Sequence, residues 1–73
     1  MKIRLTNPWT GALVDLDISD LSAHQFDRWV ALMDDDVCEQ IHKEMAPCTP
    51  AEFVAAYVDR VGPDAAGRII LGS

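Results

Sequence analysis

Seventy-three residues with aliphatic and aromatic side chains spread along the whole chain make one packed domain, not a disordered segment, with modest stability because so small a globule leaves much of its surface in water. Twelve acidic residues against six basic ones leave a net charge of −6, which argues against direct contact with nucleic acid or an anionic membrane and favours partners with basic surfaces. Two cysteines are too few for a disulfide scaffold and no run is long enough for a signal peptide or a membrane span, so a cytoplasmic setting with reduced thiols is expected.

In chain order, Lys2–Thr6 and Val14–Ile18 both alternate polar and apolar residues, the period of half-buried strands. The turn-rich link Asn7-Pro8-Trp9-Thr10-Gly11 joins them into an antiparallel hairpin. Ile3 and Leu5 then share a face with Val14, Leu16 and Ile18, while Lys2 and Arg4 face Asp15 and Asp17 on the other side. That opposite-charge pairing favours this register over a slip by one residue. Trp9, at the tip of the link, either projects as an interface anchor or folds back over the sheet edge.

Ser22 and Gln25 form a capping box, and Leu21 and Phe26 take the staple positions around it, so a first helix starts here. Phe26, Trp29, Val30 and Met33 recur at helical spacing as a core stripe. The run Asp34–Asp36 ends this helix and opens a second, since carboxylates cap free amides and suit the positive end of a helix dipole. Val37, Cys38, Ile41 and Met45 form the second stripe, and Pro47 stops that helix. Thr49-Pro50-Ala51-Glu52 is a capping box with proline at the first helical position and starts a third helix, whose buried side is Phe53, Val54, Tyr57, Val58 and Val61. Gly62-Pro63 ends it, and Asp64–Gly67 is expected to add one helical turn. Arg68–Leu71, short, β-branched and bounded by glycines, reads as a third strand. The expected order is ββαααβ, an α+β domain with a small antiparallel sheet packed against about three helices.

No catalytic, metal or nucleotide motif stands out. Asp15, Asp17, Ser19 and Asp20 resemble the start of a calcium loop, but the sixth position is Asp20 instead of glycine and the twelfth is Phe26 instead of a bidentate glutamate. Cys38 and His42 lie one helical turn apart, with Cys48 or His24 as further ligands for zinc. Their spacing matches no common zinc module, and both cysteines fall on apolar positions. A nucleophilic Cys38 would need a lowered pKa and a base, for which His42 is the candidate pair. Neither enzyme activity nor a cofactor is expected.

Residues 15–39 hold eight carboxylates against Arg28 alone, a local charge of −7, whereas residues 1–14 carry +2 and residues 40–73 carry −1. Asp27 and Asp34 are expected two helical turns apart on one side, about 10.5 Å by helical rise, where carboxylates present negative charge to a groove built for phosphates. In compactness, lack of catalytic motifs and this acidic stretch the chain resembles the small acidic phage-type inhibitors, anti-CRISPR and DNA-mimic antirestriction proteins. The resemblance implies occlusion of a basic nucleic-acid-binding surface on a host complex, by charge mimicry or steric block, with the protein as a monomer or weak homodimer. Asp27, Asp34, Asp35, Asp36 and Glu39 are the expected partner-binding residues, with Trp9, Asp15 and Asp17 beside them. The alternative is a structural or accessory module that homodimerises through a strand edge or an apolar helix face.

Overall fold

The computed structural model describes residues 1–72 and has the order β1 (Lys2–Thr6), β2 (Leu13–Asp17), α1 (Ala23–Val30), α2 (Asp35–Met45), α3 (Pro50–Val61) and α4 (Pro63–Ile70). The strands pair antiparallel with Lys2 opposite Asp17, Ile3 opposite Leu16 and Arg4 opposite Asp15. This is the register expected from the charge pattern, and Arg4 Nε lies 3.2 Å from Asp15 Oδ1. Ile3 and Leu5 are buried beneath it.

Four helices pack with this hairpin around one core, in which Leu5, Ile41 and Val54 are the largest fully buried side chains. Trp29 and Met33 of the first expected stripe are buried, and Phe26 and Val30 are half-buried against the same core. The start signal of α3 forms in full, whereas of the box expected at Ser22 and Gln25 only the serine half is present. Ser22 Oγ accepts from the Gln25 amide at 3.1 Å, and Thr49 and Glu52 form a complete reciprocal capping box. Ala46, held extended before Pro47, closes α2.

Two expectations are corrected. Residues 68–71 do not form a third strand: Arg68, Ile69 and Ile70 are the last turn of α4, and the sheet among the described residues has two strands. Pro63 at the first helical position and Asp64 in the first turn start that helix, and Ala66, Gly67 and Ile70 face the core at helical spacing. Glycine at 67 has a tertiary cause, because a Cβ there would drive into the Thr6 backbone carbonyl where α4 crosses β1. Secondly, α1 stops at Val30, and the amides of Leu32 and Met33 turn back onto the carbonyls of Trp29 and Val30. Asp34 therefore belongs to α2 alone, and the two-turn phase expected between Asp27 and Asp34 does not exist.

Candidate functional site

The acidic run is built around one cap. Asp34 adopts extended backbone geometry, and its Oδ1 accepts from the amides of Asp36 at 2.9 Å and Val37 at 3.4 Å. Its own amide donates to the phenolic oxygen of the buried Tyr57 in α3, which ties the cap to the core. Asp35 and Asp36 then occupy the first turn of α2 with exposed side chains and, among the described residues, no ion pair. Glu39 follows one turn after Asp35 on the same side and pairs with Lys43 at 3.2 Å across the exposed surface.

The other expected site residues lie elsewhere. Asp27 is exposed on α1. Asp15 and Asp17 sit on the outer face of the hairpin, and both are internally partnered: Asp15 by Arg4, Asp17 by Ser19 and the N-terminal ammonium, which is 3.5 Å away. The backbone and side-chain hydrogen bonds from Ser19, more than the terminal charge, lower the Asp17 carboxyl from 3.8 to about 2. Trp9 projects. Asn7 Oδ1 accepts from the amides of Trp9 and Thr10, Gly11 closes the link at φ 76°, and Trp9 is left 73% exposed. Leu13, on the outer face opposite Thr6, is also exposed.

One feature lay outside the sequence reading. Phe26 and Val30 of α1, Pro50 and Phe53 of α3 and the link at residues 46–49 line an apolar groove of about 640 Å³. Phe26 and Phe53 meet edge to face with ring centroids 5.5 Å apart. From α2, Cys38, Glu39 and His42 complete the wall. The sequence did carry a signal for it: both phenylalanines occupy the staple position of their helix, with Leu21 and Cys48 as the paired residues.

Cys38 and Cys48 are both free thiols, and no group of three or more His, Cys, Asp or Glu residues among those described could hold a metal ion. Burial, then the charges of Asp35 and Asp34, push the Cys38 thiol up from its ordinary value, opposite to what a nucleophile requires. No helix among the described residues is long and apolar enough to cross a membrane.

The chain matches no curated protein and no solved structure. Residues 20–60, more than half of the chain, match the family described as anti-CRISPR protein AcrIC5. That segment runs from the turn before α1 almost to the end of α3 and contains Asp27, the capped acidic run, Glu39 and both phenylalanines of the groove. The resemblance read from charge and compactness is thus borne out at the level of class, and this chain belongs to the anti-CRISPR protein AcrIC5 family.

Proposed function

We propose that the protein is a non-enzymatic inhibitor that binds a CRISPR complex and occludes a basic surface on which nucleic acid would otherwise lie. The acidic amino end of α2 steers and docks it, with Asp27 as a flanking charge. The observation that carries this reading is the adjacency of two exposed carboxylates, unpaired among the described residues, beside a capping aspartate at the start of one helix. Asp15, Asp17 and Glu39 are partnered within the chain, whereas Asp35 and Asp36 are exposed and without ion pairs among the described residues.

A helix N-terminus contributes only about half a positive charge, so the three aspartates there leave a clear negative excess. Such an excess raises the association rate with a basic channel and makes binding salt-sensitive. Asp34 also has a structural duty, so the clean test spares it. The double variant Asp35→Lys, Asp36→Lys keeps the cap and reverses the charge. Its affinity for the CRISPR effector complex should fall by roughly tenfold or more and lose most of its salt dependence while the circular-dichroism spectrum stays native. Wild-type affinity in that variant would rule out charge-based occlusion.

A further inference from the structure

The groove between α1, α2 and the start of α3 has a chemistry that selects its occupant. Its floor is apolar, with Phe26, Val30 and Phe53 contributing most of the large side chains, and its volume of about 640 Å³ falls within the roughly 300–1,000 Å³ of ordinary ligand clefts. Glu39 lines it and no lysine or arginine does. Glu39 also stands one helical turn from Asp35 on the same side of α2, so the acidic run begins one turn from a residue of the groove wall. Cys38 in the groove wall lies near enough to the run that, after burial, the charges of Asp35 and Asp34 raise its thiol pKa. Lys43 meets Glu39 in a solvent-exposed i,i+4 pair, a weak contact that an incoming cation replaces readily.

We propose that this groove seats an apolar side chain of a basic protein segment, whose flanking lysine or arginine meets Glu39 and the Asp35–Asp36 pair. The proposal rests on the anti-CRISPR reading above, in that the segment belongs to the complex the protein inhibits. It adds that contact is made with protein, through an anchor next to charge, as well as by general negative potential. Interfaces of this kind draw most of their affinity from the buried anchor and most of their selectivity from the surrounding charge.

Three tetrapeptides with blocked ends, Lys-Phe-Leu-Lys, Glu-Phe-Leu-Glu and Lys-Ser-Ser-Lys, test this on the intact protein by amide chemical-shift mapping. The first should shift Cys38, His42, Cys48 and Phe53 saturably, the second at least tenfold more weakly, and the third only the amides of Asp34–Asp36. Equal binding of the first two, absence of groove shifts with the first, or groove shifts that follow protein concentration alone would each overturn the proposal, the last in favour of a second copy of this chain.

In the effector complex, His42→Trp lays an indole across the groove from an exposed position and should weaken inhibition at least tenfold. Undiminished inhibition by a folded His42→Trp protein would overturn the groove as a docking site. Loss with His42→Trp but retention with the Asp35, Asp36 double lysine variant would overturn both charge-based occlusion and the Asp35–Asp36 contact proposed here, whereas loss with the double lysine variant alone would overturn the groove and leave charge-based occlusion standing.

Discussion

The phenolic oxygen of Tyr57 accepts a hydrogen bond from the backbone amide of Asp34, 2.9 Å away, and so ties the acidic cap of α2 to the middle of α3. The amide of an N-cap residue has no partner within its helix, and here the core supplies one. The position of the negative charge therefore depends on a buried residue that carries none.

Removing that oxygen should loosen the cap without emptying the core. Tyr57→Phe leaves the Asp34 amide unpaired and should cost about 1–2 kcal/mol in urea denaturation. Hydrogen exchange should accelerate most at the start of α2. Unchanged exchange there would show that the tyrosine does not hold the cap.

Gly67 marks the crossing of α4 over β1, where any Cβ meets the Thr6 carbonyl. Gly67→Ala should therefore destabilise by about 1–3 kcal/mol even though alanine is the better helix former by nearly 1 kcal/mol. A rise in Tm would mean that strand and helix separate more easily than their packing implies.

The reciprocal box of Thr49 and Glu52 sets the start of α3 and with it the position of Phe53 in the groove. Thr49→Ala should lower stability by about 1 kcal/mol, read from the denaturation midpoint. Thr49→Ser should restore most of it.

The Asp17 carboxyl is held at about 2, chiefly by the hydrogen bonds from Ser19. Because the folded value is depressed below 3.8, its contribution is fully present above that pH and is lost as pH falls through about 2. Carboxyl-carbon NMR titration should show this midpoint, and Ser19→Ala should move it only part of the way back, since the backbone donor remains. A midpoint of 3.8 in the unaltered protein would mean that the Ser19 contacts do not persist in solution.

Cys38 should alkylate more slowly than a free thiol when Cys48 is replaced by serine. Asp35→Asn should speed the reaction in part, because burial is the larger cause of the raised pKa and Asp35 the next. Equal rates with and without Asp35 would remove the electrostatic link between acidic run and groove.

Much of this protein was determined by its sequence alone, and the parts that were are those with local physical causes. Alternation in Lys2–Thr6 and the cross-strand charges specify the hairpin and its register, and Thr49-Pro50-Ala51-Glu52 specifies the start of α3, because each acts within a few residues. The charge layout was equally legible, and it led to the class that the family match bears out. Tertiary structure decided the rest. Arg68–Ile70 have β-branched content suited to a strand, yet they close a helix, because Ala66, Gly67 and Ile70 bury together only in helical phase and Gly67 lets that helix lie against β1. The break after Val30 is likewise absent from the apolar spacing, which runs on smoothly to Met33 while the backbone turns. Nor does the order of residues show that Phe26, Glu39 and Phe53, from three different helices, share one groove, since that depends on how the helices pack.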